Sequence, residues 1–474
     1  MKTYAKSLKL LLPVSSIILA GSLEAKSYKT YEDVPVPPIE WKAPHFDEFT
    51  IANGLAGVVV EDHEVPMVNF YLQLPASPNS KDKIGLADFA AWVLRNGGST
   101  RVTADSLNEL VEFKAGNIGI NGGDEYVSIW GNCLTDDLPL FLSLTSDLLN
   151  NPAYPEEKID LRRTSSLEGI RRRNDEPRGI ARRELFSIMY ANHPWGMDPT
   201  TSTINSITRD DLLAYHKSFV RSDGAVIGFS GDIKAADAKK LTEKEFGSMK
   251  RGEKPVVKLP QAGPAPKPGV YYAYKDINQA FISIGHRSIR YEDPRRYAAE
   301  IMNYLLGGGG FQSILMKKIR VDAGLSYGVG TSIDAAYGVE GSFRGSTSTR
   351  LDQSGRTMAI LNETIASFIK DGPSKDEFQQ AKDAYVNSFV WRTESSGDVL
   401  AQTVYHKCLG LPLDTPQRDL AAYQKLTYEE VLKAAKELIH PDQMVVVVVG
   451  NREKMDRPLE DFGTVSTIDL NIEK

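Results

Sequence analysis

Residues Ile207 to Asp232 and Leu426 to Asn451 superpose without a gap, placing Thr208 on Thr427, Asp210-Asp211 on Glu429-Glu430, Leu213 on Leu432, Asp223 on Asp442 and Gly231 on Gly450. Each copy opens with Thr as an N-cap followed by acidic residues, whose oxygens satisfy and neutralise the exposed amides of a helix's first turn. Each continues as an amphipathic helix, Leu212 to Phe219 or Val431 to Leu438, and breaks at a polar tetrapeptide. Each then enters an apolar strand, Ala225 to Phe229 or Val445 to Val449, closed by Gly. A helix–strand unit repeated at this separation constrains the chain to two homologous domains in tandem.

The rest of the chain fits that frame. Lys250 to Pro268 carries Pro255, Pro260, Pro264, Pro266 and Pro268 and little periodic apolar signal, as an exposed linker requires. At the start, Lys2, Lys6 and Lys9 precede an apolar run from Leu10 to Leu23 that ends in small residues near Ala25, the pattern of a cleaved export leader. The Pro-rich stretch after it reads as an extended arm. The expected organisation is therefore a signal peptide at 1–25, an arm at 26–46, a first domain at 47–249, the linker at 250–268 and a second domain at 269–474. Apolar alternation predicts strands at Gly57 to Glu61 and Val68 to Leu74, helices at Gly85 to Leu94 and Ser106 to Phe113, and in the second half strands at Val270 to Tyr274 and Ala280 to Ile284 before a helix from Arg295 to Leu306. The class is α+β, a mostly antiparallel sheet packed with helices and present twice.

Several functions are disfavoured by composition. A net charge of −6 and a pI near 5.8 give no basic excess with which to neutralise phosphates, so nucleic acid is not an expected partner. The run Val445 to Val449 is far too short to span a bilayer and reads as a buried strand. Cys133 and Cys408 form no CxxC pair, which leaves a distant disulfide or two buried thiols open. No histidine stands three or four residues from another, so a local two-His metal site on a helix is absent, and hydrogen-bonded or solvated histidine is the expected role of each. Gly307 to Gly310 follows a helix and lacks a Gly-Lys-Ser/Thr, which excludes a phosphate loop.

A set of short motifs runs through the mature chain in order: Glu61-Asp62-His63 with Val65-Pro66, Gly85-Leu86-Ala87, Asn96-Gly97-Gly98-Ser99-Thr100, Asn151-Pro152, His193-Pro194-Trp195-Gly196 and Gly231-Asp232. Leu306 to Gly310, Phe311-Gln312-Ser313, Arg320 and Gly324-Leu325-Ser326-Tyr327 follow in the second half. In this order they resemble the pitrilysin or insulinase family of inverted-motif zinc metallopeptidases, which includes the mitochondrial processing peptidase and small bacterial heterodimeric enzymes. The resemblance implies a pair of α+β domains forming half of a clamshell that closes around a peptide.

It also implies a metal site that this chain does not keep. The family motif His-x-x-Glu-His puts two imidazoles one turn apart on a helix with a general base between them, and adds a downstream Glu ligand. Here the ligand positions hold Asp88 and Trp92, the base position holds Ala91, and the downstream position aligns with Gly169, with Glu168 one residue away as the alternative. Two oxygens without imidazole or adjacent base suit zinc hydrolysis poorly. Trp92 reads either as a filler of the metal's space or as an ordinary core aromatic.

What survives is Arg320 and Tyr327, seven residues apart across Gly324. By resemblance, this pair reaches the zinc-bearing domain of a partner, bonds the substrate backbone and stabilises the oxyanion, with the Gly307, Gly308, Gly309, Gly310 loop beside it. The expected function follows: a non-zinc subunit of an exported, periplasmic or secreted heteromeric peptidase, active on peptides or unfolded segments only with a zinc-bearing paralogue. Zinc is expected in that partner and no cofactor in this chain. The alternative is a catalytically inactive peptide-binding or scaffold protein of the same fold. The arginine-rich stretch from Arg162 to Arg183 reads as a solvated helix face, with a basic chamber lining for acidic peptides as the sharper reading.

Overall fold

The computed structural model describes residues 45–76, 80–252, 259–393 and 395–471. The expected export leader, most of the expected N-terminal arm and residues 253–258 of the expected linker lie outside the described residues. The rest holds two six-stranded sheets with helices on their faces. The first contains β1 (Asp47–Thr50), β2 (Ala56–Glu61), β3 (Met67–Pro75), β4 (Asn117–Gly122), β5 (Tyr126–Leu134) and β6 (Val226–Gly231) in the order β1-β2-β6-β3-β5-β4. The second contains β7 (Gly269–Tyr274), β8 (Gln279–Arg287), β9 (Val329–Asp334), β10 (Ser342–Arg350), β11 (Val445–Gly450) and β12 (Val465–Thr467) in the order β12-β7-β11-β8-β10-β9.

Leaving out β1 and β12, the two orders are one order used twice. The repeated segment explains why. In each half its helix carries the chain back so that its strand inserts beside the first long strand in parallel, β2 with β6 and β7 with β11, whereas β3, β5 and β4, like β8, β10 and β9, pair antiparallel. Both helices start with reciprocal caps. Asp211 N donates to Thr208 Oγ1 at 3.2 Å while Thr208 N donates to the Asp211 carboxylate at 2.8 Å, and Thr427 and Glu430 do the same at 3.3 and 2.8 Å.

The inserted strands are buried along their whole length, which requires apolar cover on both faces. Val446 and Val448 face the core of their own half. Val445, Val447 and Val449 face the other way, onto Ile180, Ala181, Leu185 and Met189 of the Pro177–Met189 helix, which the first half contributes. The second half reciprocates: Leu400, Val404 and Cys408 of the Ser396–Cys408 helix cover Val58 and Val226 of the first sheet. Gly228 makes that approach possible, since a Cβ there would lie 2.5 Å from Leu400 Cδ1 and from Val404 Cγ2. Each half thus lends a helix to the other's sheet, an exchange that the repeat itself does not announce. Each exchanged Leu or Ile buries about 1.5–3 kcal/mol of side-chain hydrophobic free energy.

The second half departs from prediction at one further place. The expected helix from Arg295 to Leu306 is α-helical only over Arg296–Asn303 and widens into a π-helical turn at Tyr304–Gly308. Gly307 packs there against β9, where a Cβ would stand 2.6 Å from the Thr331 amide. Widened turns of this kind concentrate at functional sites.

Candidate functional site

The degenerate metal positions lie between two helices of the first half, Leu86–Gly97 and Glu156–Arg172. Asp88 and Trp92, four residues apart, share one helix face. Arg162 of the opposite helix meets both: it donates to the Asp88 carboxylate, and its guanidinium carbon lies 5.4 Å from the centre of the Trp92 ring. Ala91 is buried in the first-half core and offers no proton acceptor. Downstream, Arg162, Ser166, Gly169 and Arg173 recur at helical spacing, and Ser166, Gly169 and Arg173 border the same cleft of about 270 Å³ as Asp88. Glu168 points off this face, with its carboxylate 2.7 Å from Arg172 and 3.7 Å from Arg171. Gly169, rather than Glu168, therefore stands opposite Asp88, and a Cβ on it would touch nothing within 4 Å.

These residues do not fit zinc. Asp88 is the one ligand-type side chain at the motif positions, and a guanidinium already occupies it, so a divalent cation there would meet like charge. Among the described residues no three His, Cys, Asp or Glu side chains converge as a metal group would need. The link between the two helices is instead an ion pair stacked on an indole.

The neighbouring arginines are occupied in the same way. Arg163 donates to the Ile204 and Ile207 carbonyls, Arg173 to the Pro199 carbonyl, and Arg183 to the Arg173 carbonyl and the Asn174 side chain. With Arg162, these arginines tie segments of the first half together, whereas Arg171 and Arg172 pair with Glu168 of their own helix and stay largely exposed.

The second half presents the opposite picture. Arg320 lies in a π-helical turn, Met316–Asp322, and Gly324 at φ +64° reverses the chain so that Tyr327 returns to it. Arg320 Nη1 donates to the Tyr327 carbonyl at 2.8 Å. Its guanidinium carbon lies 4.5 Å from the ring centre of Phe311 and 4.8 Å from that of Tyr327. Phe311 follows directly on Gly310, itself at φ +59°, so the glycine loop delivers the second aromatic wall. Ser326 fastens the returning loop, donating to the Ser348 carbonyl of β10 at 2.7 Å. Leu325 anchors it in the core, and Tyr327 remains 88% exposed and Phe311 63% exposed. The geometry leaves a phenol and the outer N–H groups of a clamped guanidinium facing solvent, donors suited to a carbonyl or an oxyanion. Sequence reasoning had singled out Arg320, Tyr327 and the glycine loop but not the role of Phe311. The Gly-Phe junction within the motif was the available signal.

The remaining candidates are structural. Cys133 and Cys408 form no disulfide with one another and are buried in different clusters, and burial pushes the Cys133 thiol up to about 12. His216 bonds the Leu149 carbonyl at 2.8 Å and the Tyr154 hydroxyl at 3.1 Å. His286 bonds the Arg287 carbonyl at 2.7 Å and accepts from the His440 amide at 3.1 Å, and its burial holds its pKa down to about 4. His63 sits at the surface, where Asp232, 2.6 Å away, raises its pKa.

Comparison with known proteins agrees with this arrangement. Residues 206–385 match the family model described as the peptidase M16 inactive domain. A Helicobacter pylori protein called non-peptidase homolog YmxG is 26% identical over 401 residues, covering 83% of this chain and 91% of that protein. A Bacillus subtilis protein called uncharacterized zinc protease YmxG is 23% identical over 389 residues, covering 81% and 90%. The crystal structure of a peptidase M16 inactive domain from Pseudomonas fluorescens superposes with a TM-score of 0.79 at 24% identity, covering 88% of this chain and all of that one. With its motifs in the expected order, residues 206–385 matching the peptidase M16 inactive domain and its fold shared with the Pseudomonas fluorescens structure, the chain is similar to M16 proteins, and Asp88, Arg162 and Trp92 stand together where the resemblance expects a metal.

Proposed function

We propose that this chain is the non-zinc subunit of an exported heteromeric peptidase. A zinc-bearing paralogue supplies the metal and the general base, and this chain supplies half of the peptide chamber together with Arg320 and Tyr327. The observation that carries the reading is the opposite fate of two sites within one chain: the metal site is closed by the Arg162–Asp88 pair, whereas Arg320 stays clamped between two aromatics with its donors exposed. A residue kept only for packing has no need of an 88% exposed tyrosine beside it.

In this role Arg320 holds the substrate carbonyl and Tyr327 adds a neutral O–H donor, both stronger as negative charge develops on that oxygen. The leader at 1–25 would place the assembly outside the cytoplasm, periplasmic or secreted, and the first domain at 47–249, the linker at 250–268 and the second domain at 269–474 would form its half-chamber. The test is hydrolysis of a quenched fluorescent peptide library by the purified mature chain, alone and mixed with its zinc-motif paralogue. Turnover confined to the mixture supports the split site, and turnover by the paralogue alone at the same rate removes it. A second reading, an inactive binding protein, draws on the name of the Helicobacter pylori relative. It gains if peptide binding persists without any turnover.

A further inference from the structure

Over β3, β5 and β4 one face of the first sheet carries no charged side chain in its cross-strand rows, where its counterpart does. On β4, β5 and β3 the register sets residues in rows across the strands: Asn117, Asn132 and Asn69 fall opposite one another, and Asn69 continues to Ser230 on β6. The next row is Gly119, Trp130 and Tyr71, and the third is Asn121, Ser128 and Gln73. None of these is ionisable at neutral pH. The corresponding strands of the second sheet place Arg344 between Gly285 and Ser332, ion-paired to Asp334 and stacked on Phe186.

The Ser396–Cys408 helix covers this face over β2, β6 and part of β3, meets β5 at Tyr126, and leaves a gap beside Trp130 and Asn132 of β5 and Asn121 of β4. The result is a cleft of about 330 Å³ with Leu400 and Ala401 on one side and Asn69, Asn121, Asn132 and Trp130 on the other. Trp130 packs its ring over Gly119, where a Cβ would stand 2.3 Å from its Cε2, and the residue is 37% exposed. Asn69 makes only a 3.4 Å bond to Ser230, and among the described residues no hydrogen bond engages the carboxamides of Asn121 and Asn132.

A carboxamide offers donors and an acceptor without charge, the same polarity as a peptide unit. An ionised ligand entering here would lose hydration and find no counter-charge. The opposing wall of Leu400 and Ala401 suits apolar side chains, so the cleft matches a ligand that alternates amides with apolar groups. A glycan would set hydroxyls against that wall. We propose that this cleft binds an uncharged peptide segment, with its backbone amides bonded by Asn69, Asn121 and Asn132 and an apolar side chain held between Trp130 and Leu400. The proposal rests on the reading of the chain as half of a peptide chamber and names the class of peptide this half selects.

The test uses the mature chain alone, titrated calorimetrically with a short peptide of Ala, Leu, Asn, Gln and Ser, with the same peptide carrying Glu or Lys at the Gln positions, and with cellohexaose as a neutral glycan. The expected result is binding of the neutral peptide at least about tenfold tighter than of either charged one. The pair Asn121→Asp and Asn132→Asp weakens it by about tenfold or more with the melting curve unchanged. If the pair fails to fold, Asn121→Asp alone, on the exposed edge strand, serves as the variant. No binding, equal affinity for the three peptides, indifference to the substitutions, or cellohexaose bound in place of the peptide overturns the proposal. The titration needs neither partner nor turnover, so its failure is separable from failure of the split-site reading, which is scored by hydrolysis in the mixture.

Discussion

The two halves are built on one strand order, yet their functional ends have gone opposite ways. In the first half, positions that would face a metal are turned on one another: Arg162 of one helix neutralises Asp88 of the next and lies over Trp92. In the second half, Arg320 is held by groups that leave its outer N–H donors free, a backbone carbonyl and two aromatic faces. Ala91 is part of the first-half core and Trp92 packs against it, so two of these positions serve packing. A guanidinium and an indole give the two helices a link that needs no ion.

The comparison can be broken most severely at the exchanged helices. Leu400→Ala in one and Leu185→Ala in the other should each cost about 2–5 kcal/mol in denaturant unfolding, because each leaves a cavity between one half's helix and the other's sheet. The exchange couples the halves, so a single transition is expected in both variants. Two separated transitions would show that the halves stand alone.

Acid tests a smaller difference, between buried and exposed histidine. His286 is neutral in the fold, with its pKa held near 4 by burial, and about 6.5 in the unfolded chain. Between those values the unfolded chain binds more protons, so stability falls as pH drops from about 6.5 towards 4, by about 3 kcal/mol from this residue. His216, held down by the same cause, adds in the same direction. Unfolding measured between pH 7 and pH 4 should show the loss, and His286→Gln should reduce it. His63 has the opposite sign: Asp232 raises its pKa, so its contribution is present below about 6.5 and fades as pH rises through the raised value. NMR titration should find the His63 pKa lower in Asp232→Asn.

The closed metal site predicts a modest change of its own. Asp88→Ala should cost about 1 kcal/mol or less, since Asp88 is largely exposed. Restoring the motif with Asp88→His, Ala91→Glu, Trp92→His and Gly169→Glu should bind zinc weakly while Arg162 remains. Adding Arg162→Ala should tighten it by about tenfold, the scale of a neighbouring group's effect on a metal site. Equal affinity with and without Arg162 would show that the guanidinium does not oppose the metal.

How much of this was legible in the sequence depended on period and position. The repeated segment, its Thr caps and its apolar strands were readable because capping and alternation are local. Asp88, Ala91 and Trp92 were readable as lost chemistry because a motif has fixed spacing. Arg162 was not, since its meeting with Asp88 across 74 residues is made by helix packing. The same holds for Phe311 on Arg320 and for the exchanged helices, whose apolar faces look alike whichever sheet they cover. Gly169 and Glu168 could be separated only once the helix carrying them had a partner face.

The most direct measurement is the turnover number of the mixed enzyme with wild-type chain and with Arg320→Ala plus Tyr327→Phe, with assembly checked by size exclusion. The account predicts intact assembly and a kcat lowered by about 10²-fold or more, the scale of losing an oxyanion donor. An unchanged kcat in an intact assembly would contradict it.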